Sequence, residues 1–220
     1  MDSNDAIISY TFEDGCHADA PPTFLTLPVE LRLEIYAYLL RLVEPCKGFT
    51  PSEKPRVHPQ ILSACRQTHF EAHPMLYRLN AFLAHPSLLT SFPRLRQKYS
   101  PVASSTMASL IRSFKLRVRL DAGPGFTREA ATEAFSGLDE VEIEVWQAAY
   151  RGAGRDVLEL FEDIRGVRKA RITGSTSGFE EYAAWLEKSM MSPSGQQLGR
   201  KYTGETGDVS MVSLFWKGTV

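Results

Sequence analysis

The chain has few cysteines, no long apolar run and almost no excess of charge. Its three cysteines, Cys16, Cys46 and Cys65, are odd in number and widely spaced, so we expect no disulfide framework and a reducing compartment. No uninterrupted apolar stretch reaches the roughly 18 residues that predict a membrane-spanning helix. A formal net charge of -1 over 220 residues argues against general binding to nucleic acids or to anionic membranes.

Signatures of secretion and catalysis are also missing. The first residues, Met1 to Asp5, lack the basic start of a signal peptide, so we expect a protein of the cytoplasm or the nucleus. The sequence contains no G-x-S-x-G motif, and it identifies no histidine partner for any cysteine. Cys65, His69 and His73 share one helical face, but no fourth ligand or H-E-x-x-H motif accompanies them. We therefore expect no enzyme activity, no cofactor and no bound metal.

The N-terminal third contains a helix whose apolar surface is wider than a single core requires. At 100° per residue, residues 27–43 place apolar side chains on two nearly opposite faces, and Arg32 interrupts the apolar arc. One face carries Leu31, Ile35, Tyr38, Leu39 and Leu42, and the other carries Val29, Leu33, Tyr36, Leu40 and Val43. A surface helix normally has one apolar stripe of about 100°. The pattern predicts either a helix sandwiched within one domain or a helix that offers its second face to a partner protein.

A second helical segment is predicted further along, after a proline-rich loop at residues 47–59. Small and apolar residues recur at helical spacing over 59–72. We expect Pro74 to end or kink this helix, with a short helical piece continuing at 75–77. A short strand is then predicted at 79–84.

Beyond residue 100 the sequence repeats a unit of helix, tight turn and strand. The pattern F-x-x-L-x-x-V at residues 135–141 recurs as F-x-x-I-x-x-V at 161–167, an offset of 26 residues. A related M-x-x-L pair at 107–110 fits the same frame 28 residues earlier. The predicted strands lie at 114–120, 141–145, 167–173 and 209–216, and the predicted helices lie at 128–135, 155–164 and 178–191. This spacing lies in the range of leucine-rich repeats, and helices between strands predict a largely parallel sheet.

The predicted strands alternate apolar and charged residues, which indicates a sheet with one covered face and one open face. The residues placed on the helix-covered face are Leu116, Val118, Leu120, Val141, Ile143 and Val145. The residues placed on the open, partner-binding face are Arg117, Arg119, Glu142, Glu144, Trp146 and Arg171. If successive strands are neighbours, these charges form a plus–minus–plus ladder, and a neutralised face argues against nucleic acid. Because the L-x-x-L-x-L-x-x-N pattern is absent, an ordinary small α/β sheet with one open face is the alternative to a degenerate repeat.

Two blocks near the N-terminus resemble a known family. The segment L-P-V-E-L-R-x-x-I-Y-x-x-L-L at residues 27–40 resembles the opening of an F-box. The segment from Ile61 to Tyr77, which contains C-R-Q-T-H-F-E-A-H-P, and the N-A-F that follows at 80–82 resemble the second block of a large F-box-like family of filamentous fungi. The usual form there is close to L-x-x-C-R-Q-x-x-x-E-A-x-P-x-x-Y-x-x-N-x-F. The match covers about 25–84, whereas the remainder matches only loosely.

The resemblance implies a helical module followed by a recognition domain, and the predicted helices and strands indicate an α+β or α/β protein. After a flexible tail at 1–23, a helical module at 24–84 would precede a repeat-like recognition domain at 85–220. In F-box proteins the module binds the small adaptor of a cullin–RING ubiquitin ligase, and the downstream domain captures a protein substrate. Carried over residue by residue, the adaptor contacts would be Leu27, Pro28, Leu31, Ile35 and Leu39. The long loop between the two blocks departs from a compact F-box.

Other functions stay open at this point. One alternative is a non-enzymatic scaffold or regulatory binding protein with no link to ubiquitin. A weaker one is a nucleic-acid-associated protein, for which the only dense basic segment, at 112–119, would be the contact. The sequence alone names neither the substrate nor the oligomeric state.

Overall fold

The computed structural model describes residues 23–42, 57–148 and 154–195. Most of the predicted tail, most of the proline-rich loop and the strand predicted at 209–216 lie outside these residues. The helices are α1 Val29–Leu40, α2 Arg66–Arg78, α3 Ser105–Ala108, α4 Arg128–Phe135 and α5 Glu180–Met191. The strands are β1 Ala81–His85, β2 Leu89–Arg94, β3 Ser113–Arg119, β4 Glu140–Trp146 and β5 Lys169–Gly174. Short 3-10 helices occupy Phe24–Thr26, Pro59–Ser63 and Leu158–Phe161.

The strands form one five-stranded, mostly parallel sheet in the order β2-β1-β3-β4-β5. Strands β1, β3, β4 and β5 run parallel to one another, and β2 pairs antiparallel with β1 at one edge. A helical segment precedes the sheet, and helices alternate with its parallel strands. The mixed α/β class and the largely parallel sheet predicted from the sequence are therefore confirmed.

The core of the sheet domain lies between the sheet and the helices that connect its strands. In register, Leu116 of β3 lies beside Ile143 of β4, which lies beside Ile172 of β5. All three are buried, as are Ala131 and Phe135 of α4. Alternate residues of β3 and β4 face away from this core, so the prediction of one apolar and one charged face is confirmed for these strands.

Three details differ from the predictions. Strand β2 was not predicted, because Pro93 and the positive φ of Leu89 and Phe92 (52° and 54°) interrupt any regular alternation. The helix predicted at 155–164 is only the 3-10 helix Leu158–Phe161. The 26-residue offset of the sequence repeat is also not the register between β4 and β5, because Val141 lies beside Ala170 and not beside Val167.

The helical unit consists of α1, α2 and the 3-10 helix Pro59–Ser63. The α-helical part of the second segment starts at Arg66 and continues through Pro74 to Arg78, so the helix does not end at this proline. Its start is fixed by Cys65, whose Sγ accepts a hydrogen bond from the N–H of Thr68 at 3.5 Å. The buried apolar residues between the two helices are few: Tyr36, Leu40 and Ala72.

Asn80 joins the helical unit to the sheet. Its Nδ2 donates to the carbonyls of Leu40 at 2.8 Å and Leu76 at 2.7 Å, and its Oδ1 accepts from the N–H of Leu42 at 2.6 Å. Only 2% of Asn80 is exposed, so these bonds satisfy a buried amide. One side chain thus fixes the end of α1, the end of α2 and the start of β1.

In both outer strands of the sheet, a backbone group is hydrogen-bonded to another part of the chain. At β5, the N–H of Ile172 donates to a carboxylate oxygen of Glu187 on α5 at 2.6 Å. At β2, the carbonyl of Pro93 accepts from the N–H of Val102 at 2.8 Å. Among the described residues, no helix has both the length and the apolar character required to span a membrane.

Candidate protein-interaction surfaces

The first candidate surface is a side of α1 whose apolar side chains stay exposed in the described structure. We call it the α1 apolar face and define it by Pro28, Leu31, Ile35 and Tyr38. Leu31 is 46% exposed, Ile35 37% and Tyr38 85%. Of the five predicted adaptor contacts, Pro28, Leu31 and Ile35 are exposed, whereas Leu27 and Leu39 are partly buried.

The other side of α1 is held by a polar network, which we call the Arg32 clamp and define by Arg32, Tyr36, Gln67 and Glu71. The Arg32 guanidinium donates to both carboxylate oxygens of Glu71, through Nε at 3.0 Å and Nη2 at 2.7 Å. The Tyr36 hydroxyl donates to Glu71 at 2.9 Å, and the Gln67 amide donates to it at 3.0 Å. Such bidentate, charge-assisted bonds are among the strongest in proteins. The clamp therefore fixes how α1 is rotated on α2.

Sequence reasoning missed the position of Arg32. The residue that interrupts the apolar arc is only 8% exposed and lies in the middle of the packed side of α1. Its remaining donor, Nη1, bonds the carbonyl of Leu27 at 2.5 Å and that of Leu25 at 3.3 Å. One signal was available in the sequence: the two family-like blocks carry residues of opposite charge, Arg32 in the first block and Glu71 in the second. The pair joins the blocks and also ties the segment before α1 to the helix.

The electrostatics of the clamp follow from its hydrogen bonds. The bonds from Arg32 and then Gln67 lower the pKa of Glu71 from 4.5 to about 2, against the opposing effect of burial. Burial, followed by the hydrogen bond to Glu71, raises the pKa of Tyr36. Glu71 is therefore an ionised acceptor at neutral pH, and Tyr36 is a neutral donor to it.

Cys65, His69 and His73 lie at the start and along one face of α2, and the two histidines belong to an aromatic stack. The rings of His69 and His73 stack with centroids 4.8 Å apart, and His73 contacts Tyr77 edge-on at 5.3 Å. Burial, and then the charge of His69, lower the pKa of His73. Within 23–42, 57–148 and 154–195, no three His, Cys, Asp or Glu side chains are grouped to hold a metal ion. The stack continues to the sheet, because Tyr77 packs on Phe82 at 5.8 Å.

The second candidate surface is the open face of the sheet. Its charges form cross-strand ion pairs between β3 and β4: Lys115 with Glu142 at 3.3 Å, and Arg117 with Glu144 at 3.1 Å. Between β4 and β5, Lys169 pairs with Glu140 at 2.5 Å. The register that brings these residues together is the one the predicted ladder requires.

One end of the open face carries an indole that two arginine side chains contact. The guanidinium groups of Arg117 and Arg119 lie over the ring of Trp146, at 5.9 Å and 5.6 Å from its centroid. Arg119 is itself fixed by an ion pair with Asp121 at 2.7 Å. Trp146 is 37% exposed. The arrangement holds a large flat side chain in place at the surface, where it can contact a partner.

The predicted partner-face residues thus lie on one surface, with Arg117, Arg119, Glu144, Trp146 and Arg171 exposed and Glu142 partly buried. The α1 apolar face offers uncharged area, and the open sheet face offers ordered charges and one indole.

No protein-family model, no curated protein and no solved structure matches this chain.

Proposed function

We propose that this chain is an F-box-like substrate receptor of the cytoplasm or the nucleus. Its α1 apolar face binds the adaptor of a cullin–RING ubiquitin ligase, and its open sheet face binds a protein substrate. The chain performs no chemistry in this scheme, because it acts by holding the substrate close to the ligase. The supporting observation is the exposure of Leu31 and Ile35, which the F-box resemblance assigns to the adaptor.

The geometry of α1 favours docking over a purely internal role for these residues. The Arg32 clamp holds the packed side of the helix and leaves the α1 apolar face outward. Several large apolar side chains exposed together on one helix are typical of an interaction site. Fully burying an exposed leucine or isoleucine is worth roughly 1.5–3 kcal/mol, and Leu31 and Ile35, which are 46% and 37% exposed, can gain about half of that or less. Together with Tyr38, which is 85% exposed, they offer apolar area for a protein partner.

The open sheet face suits a protein substrate because its charges alternate in sign. An ordered pattern of charges selects partners by complementarity and contributes more to specificity than to raw affinity. The indole of Trp146 adds apolar area of the kind that is frequent in binding hot spots. A nucleic acid would meet the carboxylates of Glu142 and Glu144 as well as the cations, which disfavours that alternative.

The test is co-purification of the full chain with a cullin–RING adaptor, using the double variant Leu31→Asp with Ile35→Asp. We expect wild type to bind the adaptor and the double variant to lose at least about 100-fold in affinity, because two apolar contacts disappear and two carboxylates would be buried at the interface without partners. Both positions are exposed, so the variant should fold, and circular dichroism verifies this. Phe70→Asp is the matched control: Phe70 is 83% exposed and lies on α2, so this variant should bind normally.

Two outcomes would contradict the proposal. In the first, the folded double variant binds the adaptor as well as wild type, which means that the α1 apolar face is not the docking surface. In the second, wild type shows no adaptor binding up to about 100 µM, a concentration that still detects weak complexes. That result would favour a scaffold or regulatory binding protein with no ubiquitin link, which keeps the open sheet face as its binding surface.

A further inference from the structure

A cleft of about 370 Å³ lies where the helical unit meets the open sheet face. We call it the junction cleft. Its walls include Arg41, Leu42 and Asn80 from the helical side, and Lys115, Glu142 and Arg171 from the sheet side. The volume lies in the range of binding pockets for small groups and is sufficient for one or two side chains of a partner. The clamped amide of Asn80 makes the helical wall rigid.

The charges that line the junction cleft are only partly neutralised. Glu142 pairs with Lys115, and Glu140, which also lines the cleft, pairs with Lys169. In contrast, Arg41 and Arg171 make no ion pair and no side-chain hydrogen bond with any residue in the described part of the chain. Arg171 lies directly beside Glu142 in the sheet register, yet the Glu142 carboxylate contacts Lys115. Two guanidinium groups therefore border the cleft while both of its carboxylates already have cationic partners.

We propose that the junction cleft binds the acidic side chain of an extended peptide segment, held between Arg41 and Arg171. The planar guanidinium donates two parallel hydrogen bonds to a carboxylate, which makes arginine the preferred residue for such recognition. The proposal rests on the proposed function, since it places one contact of the substrate on the open sheet face. It adds the chemical class of that contact, which is an anionic group on a peptide.

A peptide fits this surface better than a nucleic acid. The row of residues beyond the cleft carries Glu144 as well as Arg117, so the continuous basic groove that a nucleic-acid backbone follows is interrupted there. At about 3.3 Å per residue, Trp146 lies roughly 13 Å along β4 from Glu142. An extended peptide of four or five residues therefore reaches from the cleft to the indole.

The test measures peptide binding to the full chain in the absence of any adaptor, by fluorescence anisotropy at low salt. The ligand is a fluorescein-labelled hexaglutamate peptide, and hexaglutamine serves as its neutral counterpart. We expect Arg41→Ala and Arg171→Ala each to weaken hexaglutamate binding by at least about fivefold, as expected for the loss of a charge-assisted contact. Arg168→Ala is the matched control, because Arg168 is exposed, pairs with Asp139 at 2.6 Å and does not line the cleft. It should change the affinity by less than about twofold.

Three results would overturn the proposal. The first is an equal loss in Arg168→Ala, which would indicate diffuse attraction to a basic surface. The second is binding of hexaglutamine as tight as that of hexaglutamate. The third is recognition of a different anion. A single-stranded oligonucleotide would bind more tightly than hexaglutamate, or a phosphoserine peptide or inorganic phosphate would bind where hexaglutamate does not. Adaptor binding is measured separately on the same variants and should be unchanged in Arg171→Ala, so the failure of one proposal leaves the other interpretable.

Discussion

The helical unit and the sheet domain are held together by different interactions. The sheet domain has a continuous apolar core whose buried members include residues from all five of its described strands and from α4 and α5. Among the described residues, the helical unit has only Tyr36, Leu40 and Ala72 as fully buried apolar residues of its own core, and its packing also depends on the Arg32 clamp and on Asn80. The comparison teaches that a unit can expose large apolar side chains if hydrogen bonds and an ion pair fix its packing instead.

This difference explains why the apolar pattern of α1 is too wide for one core. Leu31, Ile35 and Tyr38 are not needed inside, because Arg32, Tyr36 and Glu71 hold the helix in place. In β3 and β4, by contrast, nearly every apolar side chain is used in the core. Substitutions in the two regions should therefore have different consequences, which the following predictions test from the largest expected effect to the smallest.

The largest effect is expected in the apolar core of the sheet. Ile143 is fully buried, and Ile143→Asp would place a carboxylate there without a partner, at a cost of several kcal/mol. Since domains of this size are stable by only about 5–15 kcal/mol, we expect the sheet domain to unfold, with loss of the circular dichroism signal and of soluble expression. Glu144→Gln, one residue away on the open face, should leave the domain folded. A soluble, cooperatively folded Ile143→Asp protein would contradict this account of the core.

A smaller and localised effect is expected in the helical unit. Arg32→Ala removes the guanidinium that bonds Glu71 and the carbonyls before α1, but it leaves the sheet domain untouched. We expect amide hydrogen exchange in α1 to speed up by roughly tenfold or more, while the amides of β3 and β4 keep their protection. Arg41→Ala, which removes an exposed arginine just after the same helix, is the control. Equal loss of protection in both units would mean that they unfold as one.

The smallest effect is a dependence on pH. The pKa of Glu71 is lowered to about 2, so its contribution to stability is fully present above about pH 4.5 and is lost as the pH falls towards 2. We expect the difference in free energy of unfolding between wild type and Glu71→Gln to be constant near neutral pH and to shrink below about pH 4.5. Urea denaturation at a series of pH values measures it. A difference that stays constant down to pH values of about 2.5 would show that the ionised carboxylate does not stabilise the fold.

The regular parts of the sheet domain were predictable because their patterns are local. The alternation in β3 and β4 and the helical spacing of α4 and α5 are each contained within about a dozen residues, and the matching registers give the charge ladder. Strand β2 was not predictable, because Pro93 and two left-handed backbone positions leave no alternation to detect.

The parts of the candidate sites that the sequence did not reveal depend on distant residues. Arg32 and Glu71 are 39 positions apart, and nothing local distinguishes a buried, paired arginine from an exposed one. The junction cleft likewise has Arg41 and Arg171 in its lining, and these two residues are separated by most of the chain. The exposure of Leu31 and Ile35 followed from the excess of apolar positions on α1, but neither predicted face packs inward as a whole. Tyr36 and Leu40 are buried beside the Arg32 clamp, whereas Val29 and Leu33 of the same predicted face are 43% and 38% exposed.

The hydrogen bonds made by backbone groups of the two outer strands affect how the protein can associate with other proteins. At β5, the N–H of Ile172 already donates a hydrogen bond to the carboxylate of Glu187. At β2, Pro93 has no N–H to offer, and its carbonyl is taken by Val102. At these positions a strand from another molecule finds no free backbone groups to extend the ladder, which is how natural sheets resist growth into fibrils. Contacts with other proteins are thereby directed to side-chain surfaces, so a high local concentration of partners need not lead to aggregation.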